Sequence, residues 1–428
     1  MAERLFAYHE ATKHTAERLR TLPHTLDWAN MPEPFRRHEG ARLVDMEAEA
    51  KEFISKLFFY SAAISASKVS PGGMRYALRV NPSSGNLHPT EFHFATRGVA
   101  GWEDGIYHYR ADGHMAELRA RGTPPFVAPL TVLLSTIAWR EAWKYGERAY
   151  RYCLLDAGHA GEAVMLAARA MGCKARAMAM FADREMERAF RLPDDEWPML
   201  AIEIEGGPGE AHAERALTWT EGEPNRLSPD VVEYPVIDEI HRATRLDEPG
   251  EEPQPEGWQG AWSEAIVRRR RSALDFEGGA RAIRRDQYAA LLECRKGMVD
   301  LYSFVHRVEG MPPGLYRGFE LLRAGDQRVA AAGLSLGQSL AGNSCVTFSM
   351  LVDLEATALR YGERGYRLAH FDAGATGQRL YLASEAMGFQ ATGIGAFFDD
   401  RVHEFIGRQH VVYHFACGYA VRDQRLEG

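Results

Sequence analysis

The stretch that decides the fold of this chain is written twice. Residues 144–172 read KYGERAYRYCLLDAGHAGEAVMLAARAMG, and residues 360–388 read RYGERGYRLAHFDAGATGQRLYLASEAMG, at a constant offset of 216. Extended to Asp183 and its counterpart Asp399, the two stretches are identical at 18 of 40 positions. Unrelated sequences would agree at about two or three positions, so the chain contains an internal repeat.

The repeat and the chain length together divide the chain into two similar units. A length of 428 residues suits two domains. Composition indicates a polar leader at residues 1–44, a first domain at 45–212, a Pro- and Glu-rich linker at 213–260 and a second domain at 261–428. Two similar halves predict a fused homodimer folded about a pseudo-two-fold axis. Because such a chain already contains its dimer interface, we expect that it can exist as a monomer.

Residue patterns within each unit predict an α+β fold. The repeated block carries apolar residues at helical spacing and ends at a glycine, Gly172 or Gly388. Strand-like runs follow this helix, and each half closes on an apolar strand, at residues 198–206 and 410–419. We therefore expect a mixed, mainly antiparallel sheet flanked by helices in each half.

Composition argues against several classes of function. The 51 Lys and Arg residues and 59 Asp and Glu residues give a net charge of -8, which does not favour nucleic acid or an acidic membrane surface as a partner. Five widely spaced cysteines without a Cys-x-x-Cys pair are typical of reduced thiols, so we expect a cytoplasmic protein without a metal site. Residues 330–352 lack charge, but their Gly, Ser, Asn and Gln content predicts a buried helix and strand.

Two short motifs carry groups that suit a polar, anionic ligand. Residues 79–91, RVNPSSGNLHPTE, place two hydroxyls, an amide and a flexible glycine in one turn. Residues 266–276, IVRRRRSALDF, place four arginines before Ser272, and guanidinium groups are bidentate donors to phosphate. From composition alone, an ordinary surface turn and a solvated basic run remain open as interpretations.

Each motif occurs only once, and the two lie in opposite halves. Where the arginines should recur in the first half, residues 53–65 read FISKLFFYSAAIS. Where the turn should recur in the second half, residues 291–316 run from a helix to a strand without it. This complementary loss predicts one site assembled from both halves, with its mirror image degenerate.

Together these features resemble the nitroreductase-like flavoenzymes, over residues 45–212 and 261–428. The shared features are an Arg-x-Ser at the start of a domain, a Pro-Ser-Ser-x-Asn-x-x-Pro loop, the DAG helix, a Gly-Ile-Gly-like segment and a final GY strand. The resemblance implies that FMN lies between the halves, with Arg-x-Ser from one half and the loop from the other. The phosphate of FMN needs guanidinium partners, and its ribityl chain needs hydroxyl and amide partners.

Carried over residue by residue, the resemblance implies roles for positions in both halves. Arg270 and Ser272 would hold the phosphate and ribityl chain, and Leu274 stands where a cation is common. The other implied cofactor-binding positions are Pro82, Ser83, Ser84 and Asn86 in the loop, Gly395 and Ala396 facing the N5 edge of the flavin, and Arg422 and Arg425 near the phosphate.

Within that superfamily the chain is most similar to the SagB-type azoline dehydrogenases, which oxidise thiazolines and oxazolines in ribosomal peptides. The segments that carry this similarity are NPSSGNLHPTE, GIYHY and KYGERAYRY. In that branch a Lys-Tyr pair near the flavin is associated with proton removal, which implies catalytic roles for Lys144 and Tyr145. Because the second half keeps Arg360 and Tyr361 at the same place, a structural role in the repeated helix is the alternative.

Three functions are compatible with these residues. The first is an FMN-dependent dehydrogenase of a peptide or natural-product heterocycle. The second is an NAD(P)H-dependent reductase of nitro, quinone or activated-alkene compounds, which differs in redox direction. The third is a catalytically silent flavin- or partner-binding protein, which the missing cation at Leu274 allows.

Overall fold

The structure, a computed structural model, describes residues 2–21, 25–47, 49–70, 72–220, 222–253, 257–407 and 410–426. The helices up to residue 243 are α1 Glu3–Ala11, α2 Ala16–Thr21, α3 Glu52–Phe59, α4 Ala138–Tyr145, α5 Ala149–Ala170, α6 Asp183–Phe190 and α7 Pro235–Ala243. The strands of this part are β1 His38–Glu39, β2 Arg42–Asp45, β3 Ile64–Val69, β4 Arg75–Arg79, β5 Thr90–Thr96, β6 Gly105–Arg110, β7 Met115–Arg121, β8 Leu130–Thr136, β9 Lys174–Met178, β10 Trp197–Glu205, β11 Thr218–Trp219 and β12 Glu223–Pro224.

The rest of the chain repeats much of this order. Its helices are α8 Glu264–Arg269, α9 Arg285–Leu292, α10 Arg328–Leu334, α11 Ser339–Asn343, α12 Leu354–Tyr361, α13 Gly365–Ala386 and α14 Asp399–Ile406. Its strands are β13 Asp300–Val305, β14 Gly314–Arg317, β15 Glu320–Ala324, β16 Val346–Val352, β17 Gln390–Ile394 and β18 His410–Gly418.

The two halves contain sheets of the same topology. The first sheet has the order β11-β7-β6-β5-β8-β10-β9, with β2 also on β7, and the second has the order β15-β14-β13-β16-β18-β17. Neighbouring strands pair antiparallel in both. The prediction of two tandem α+β domains with mainly antiparallel sheets is confirmed. The first half differs by an additional hairpin, β3-β4, which lies just before the loop at residues 82–86.

The repeated DAG segment lies where the long helices α5 and α13 cross. A Cβ atom on Gly158 would lie 2.3 Å from the carbonyl oxygen of Phe371, and one on Gly374 would lie 2.1 Å from that of Leu155. The helix backbones therefore touch at this point, which only glycine permits. This contact explains why the glycine is present in both halves.

The repeated arginines form buried ion pairs between the halves. Arg148 and Arg151 hold the carboxylate of Asp399 at 3.0 and 2.7 Å. The mirror image consists of Arg364 and Arg367 with Asp183, at 2.8 and 2.9 Å. Each pair of arginines thus fixes the residue that begins α14 or α6 of the opposite half.

The leader and the segment expected to be a linker both pack on the two halves. The Glu363 carboxylate accepts hydrogen bonds from the backbone of Arg4 and Leu5 at the start of α1, at 3.1 and 2.6 Å. In the segment 213–260, β11 extends the first sheet, β12 pairs with β1, and α7 packs on α1. Buried Ile237 and Ile240 explain this order, because they give α7 one apolar face within a segment that is otherwise rich in Pro and Glu. The domain boundaries stay a prediction.

Residues 330–352 form α10, α11 and β16 instead of one helix and one strand. The first helix ends because Leu336 and Gly337 adopt left-handed φ values of 53° and 77°. The strand is as expected. None of the helices in the described residues has the length and apolar character to cross a membrane.

Candidate functional site

A cavity of about 580 Å³ lies between the two halves. The loop at residues 81–86 forms its first-half wall, and residues 270–272 and 392–396 form its second-half wall. Tyr152 and Tyr381, from the crossing helices, also line it. The two motifs that stand in opposite halves of the sequence therefore face the same space.

The loop makes a tight turn against α4. Gly85 and Asn86 have left-handed φ values of 58° and 61°. A Cβ atom on Gly85 would lie 2.6 Å from the Tyr145 hydroxyl, so a glycine is required here. The Asn86 side chain holds the turn by donating from Nδ2 to the Ala77 carbonyl oxygen at 3.0 Å. Pro82, Ser83 and Ser84 also line the cavity.

Asp156 of the DAG segment anchors this loop. Ser84 donates to its carboxylate from the backbone nitrogen at 3.0 Å and from Oγ at 2.9 Å. Burial raises the pKa of Asp156 to about 7, although the hydrogen bonds from the serines oppose the shift. Its counterpart Asp372 accepts from the Val299 backbone nitrogen at 2.8 Å. The carboxylate thus holds the preceding segment in both halves, a role that sequence analysis missed.

Arg270 reaches across the interface from the second half. Its guanidinium donates from Nε to the Val80 carbonyl oxygen at 2.9 Å and from Nη2 to that of Arg79 at 3.2 Å. The side chain lies 4.8 Å from the centre of the Tyr381 ring, and burial lowers its pKa. Nη1 is buried without a partner among the described residues. A buried, unsatisfied guanidinium nitrogen at a cavity wall indicates an anionic ligand.

Two further cations line this cavity, and only one of them belongs to a motif singled out in the sequence. Arg271 donates from Nη2 to the Ser65 carbonyl oxygen at 2.8 Å, and burial lowers its pKa to about 10. The ammonium of Lys68 lies 2.8 Å from a carboxylate oxygen of Asp423. Arg271 stands in the arginine motif, but nothing in the sequence signals Lys68, because it comes from the hairpin that only the first half has.

The remaining predicted cofactor positions of the second half face the cavity through backbone and hydroxyl groups. Ser272 Oγ and the Tyr381 hydroxyl share a hydrogen bond of 2.7 Å. The Gly395 carbonyl oxygen accepts from the Tyr152 hydroxyl at 3.1 Å, and that of Ala396 accepts from Gln338 Nε2 at 3.2 Å. No acceptor for the N–H groups of Gly395 and Ala396 occurs in the described residues. These two N–H groups are therefore available to a ligand.

The predicted catalytic pair lies beside the loop at the end of α4. Tyr145 lines the cavity, and its pKa is raised well above the usual range by burial and then by the nearby Glu141. A Cβ atom on Gly85 would lie 3.0 Å from Lys144 Nζ, so the ammonium also reaches the loop. Lys144 itself lines an adjoining cavity.

The two C-terminal arginines are not brought into the cavity. Arg422 is exposed and outside its lining. Arg425 lines the adjoining cavity, and its guanidinium binds Asp423 at 2.8 Å. Their predicted contact with a phosphate stays a prediction.

The residues that are present fit FMN. The second-half wall offers a buried unpaired guanidinium nitrogen on Arg270, suited to a phosphate, and free N–H groups at Gly395 and Ala396, suited to an acceptor edge. Hydroxyls of Ser83 and Ser272 lie at the same cavity and suit a ribityl chain. The cavity volume is within the range of cofactor sites.

A second cavity of about 650 Å³ occupies the mirror-image position. At the positions that correspond to Tyr152, His159 and Tyr381, its lining has apolar side chains, namely Leu368, Ala375 and Met165. It also lacks a counterpart of the arginine motif.

In the mirror cavity a carboxylate of the chain itself binds the corresponding backbone donors. The N–H groups of Ala179 and Met180, which correspond to Gly395 and Ala396, donate to Glu252 at 2.9 and 2.8 Å. The backbone N–H groups that are free at the first cavity are therefore hydrogen-bonded at the mirror cavity.

Comparisons with known proteins agree with this architecture. A crystal structure of a provisionally named nitroreductase from Anabaena variabilis superposes with a TM-score of 0.83 over 98% of this chain and 100% of that one, at 23% sequence identity, which shows a shared fold. A provisionally named nitroreductase of Methanocaldococcus jannaschii is 26% identical over 136 residues, which are 29% of this chain and 68% of that protein. The trifolitoxin operon protein TfxC of Rhizobium leguminosarum bv. trifolii is 31% identical over 103 residues, which are 22% of this chain and 29% of that protein.

The sequence pattern of one family matches both halves. Residues 61–206 and 319–419, together more than half of the chain, match the Nitroreductase family. The matched segments contain both repeated blocks, strands β5 to β10 of the first sheet and strands β15 to β18 of the second. The chain therefore belongs to the nitroreductase family and has the oxidoreductase fold of that family.

Proposed function

We propose that this chain is an FMN-dependent oxidoreductase with one FMN site, built from both halves, and that it dehydrogenates a heterocycle in a peptide or other natural product. The observation that carries the proposal is the buried, unpaired Nη1 of Arg270 in a cavity whose opposite wall is the loop at residues 82–86. Nitroreductase family members generally bind FMN, which supports the choice of anion.

Different residues of the cavity suit different parts of FMN. Arg270, Arg271 and Lys68 would hold the phosphate, because they are cations that line the cavity. Ser83 and Ser272 would bind the ribityl hydroxyls. The N–H groups of Gly395 and Ala396 would donate to the edge of the ring. When bound, FMN supplies the hydride chemistry.

Lys144 and Tyr145 have different parts in proton transfer. Because its pKa is raised, Tyr145 remains protonated at neutral pH and can donate a proton or hydrogen bond. Lys144 lies beside it at the end of α4 and would take part in moving the proton that leaves the substrate in a dehydrogenation. Tyr145 would then orient the substrate through its hydroxyl.

The preference for a natural-product heterocycle rests on two supports. The motifs are similar to those of the azoline dehydrogenases, and one relative is named for an operon that belongs to a toxin, trifolitoxin. The protonated state of Tyr145 favours a second candidate, the NAD(P)H-dependent reductase, because reduction of a nitro, quinone or alkene group needs a proton donor.

The first experiment measures flavin content. We expect about one FMN per purified chain from its visible spectrum. Arg270→Ala should lose most of the flavin, whereas Arg269→Ala should retain it, because Arg269 is 61% exposed and pairs with Glu385. Two flavins per chain would contradict the single composite site. Equal retention by both variants would contradict the role of Arg270.

The second experiment decides the redox direction. A thiazoline peptide incubated with the FMN-loaded protein should lose two hydrogens per ring by mass spectrometry, and Tyr145→Phe should slow this without releasing flavin. Stoichiometric oxidation of NADPH by a nitro or quinone acceptor, with no change in the peptide, would identify the reductase instead. Retained flavin without either reaction would support a silent flavin-binding protein.

A further inference from the structure

A smaller cavity of about 330 Å³ adjoins the proposed cofactor site. The two cavities share Lys68, Leu78, Gly85 and Asn86 in their linings, so only the loop and the β3-β4 hairpin separate them. Lys144 faces this smaller cavity. The group assigned to proton transfer therefore lies at the boundary between the cofactor site and a second space.

The leader forms the aromatic wall of this cavity. Leu26, Trp28 and Met31 line it, opposite Trp143 of α4. The Trp28 ring lies edge-on to that of Trp143, with centroids 5.3 Å apart, and Trp143 Nε1 donates to the Asp27 carbonyl oxygen at 2.7 Å. Trp28 itself is 58% exposed. A large indole at a cavity mouth that is fixed in place but left exposed can stack on a flat ligand.

The same cavity has an excess of positive charge. Its lining contains Lys68, Lys144 and Arg425. Asp423 is within 2.8 Å of both Lys68 and Arg425, so one carboxylate is shared by two cations. Within the described residues, Lys144 has no carboxylate at ion-pair distance. An anionic group would therefore be stabilised beside Lys144.

We propose that this cavity is the substrate vestibule and that it binds a flat ring carrying a carboxylate, with the ring on Trp28 and the carboxylate facing Lys144 and Arg425. The inference rests on the proposed function and specifies its substrate class. A heterocycle next to an acidic group would meet both features at once, and the shared loop would present it to Tyr145. The leader then determines specificity, although it lies outside both repeated halves.

The test uses 4-nitrobenzoate and its neutral methyl ester as probes, titrated calorimetrically into the full-length, FMN-loaded chain. We expect the carboxylate to bind at least about tenfold more tightly than the ester. Trp28→Ala should weaken both probes by about fivefold to tenfold, and Trp28→Phe should restore most of the loss. Phe319→Ala is the control, because Phe319 is an exposed aromatic outside the cavity, 47% accessible, and its loss should change neither affinity.

A third variant tests the contact with the carboxylate of the probe independently of the stacking of its ring. Lys144→Met should reduce the preference for the carboxylate while leaving the affinity for the ester within about twofold. Equal affinities of the two probes for the wild-type chain, or unchanged binding by Trp28→Ala, would overturn the inference. The titration is repeated on the chain without added flavin. If the expected differences in probe affinity are found without flavin and no preparation binds FMN, the vestibule stands and the proposed function fails. If flavin content and turnover are normal but Trp28→Ala binds both probes as tightly as the wild type, the proposed function stands and the vestibule fails.

Discussion

Glu141 is a buried acid that no partner satisfies. It is fully buried in α4, one turn before Tyr145, and both carboxylate oxygens lack a hydrogen-bond partner among the described residues. Burial, and then the nearby Asp156, raise its pKa well above the usual range. Burial therefore disfavours the ionised form of this carboxyl group. Burial also raises the pKa of the neighbouring Tyr145 well above its usual range.

This group gives a prediction for the pH dependence of stability. Because folding raises the pKa of Glu141, the folded state binds more protons, and its contribution is complete below about pH 4.3 and is lost as the pH rises through the raised value. Glu141→Gln cannot ionise, so its melting temperature relative to wild type should rise steadily between about pH 5 and pH 9.

Scanning calorimetry across that pH range measures the difference. Glu239→Gln, at an exposed helical position, is the matched control and should follow the wild-type curve. A difference between Glu141→Gln and wild type that stays constant with pH would show that Glu141 is ionised in the folded protein.

At the scale of elements, the crossing of α5 and α13 is the contact that joins the halves. Gly158→Ala would place a methyl group 2.3 Å from the Phe371 carbonyl oxygen, and backbone cannot move aside as a side chain can. We expect the free energy of unfolding to fall by about 1–3 kcal/mol. Gly333→Ala in α10 has no atom within 4 Å of the new methyl group and should be neutral or stabilising by up to about 1 kcal/mol. Urea denaturation of both variants measures the effect, and equal stabilities would contradict the close crossing.

The helices and strands also show which features of the fold could be predicted from the sequence. The repeat predicted the long helices and the last strand of each half, because periodic apolar residues over long segments are strong signals. The α7 helix was missed, since Pro and Glu around Ile237 and Ile240 hide its apolar face. At the site, motifs pointed to Arg270 and the loop at residues 82–86, which share one cavity. Lys68 carries no motif, and the DAG motif did not reveal the contact of Asp156 with the loop, because these places depend on the hairpin and on helix packing.

At the scale of the whole molecule, two mirror-image ion clusters support different cavities. Asp399 binds Arg148, which also donates to the Gly395 carbonyl oxygen at 3.3 Å beside the proposed FMN site. Asp183 binds Arg364, which donates to the Ala179 carbonyl oxygen at 2.8 Å beside the mirror cavity. The same ion pairs thus stand behind one cavity with free backbone donors and one cavity whose donors are bound to Glu252.

The mirror clusters permit a matched experiment on one chain. Asp399→Asn and Asp183→Asn each leave two buried arginines without their carboxylate, so each should lower the free energy of unfolding by about 3–5 kcal/mol. Only Asp399→Asn should also lower the FMN content per folded chain, because only its arginine positions Gly395. Calorimetry and the visible spectrum of the monodisperse fraction give the two readouts. Equal flavin loss in both variants would mean that both cavities depend on the same contacts, and the division into one flavin site and one mirror site with satisfied donors would be wrong.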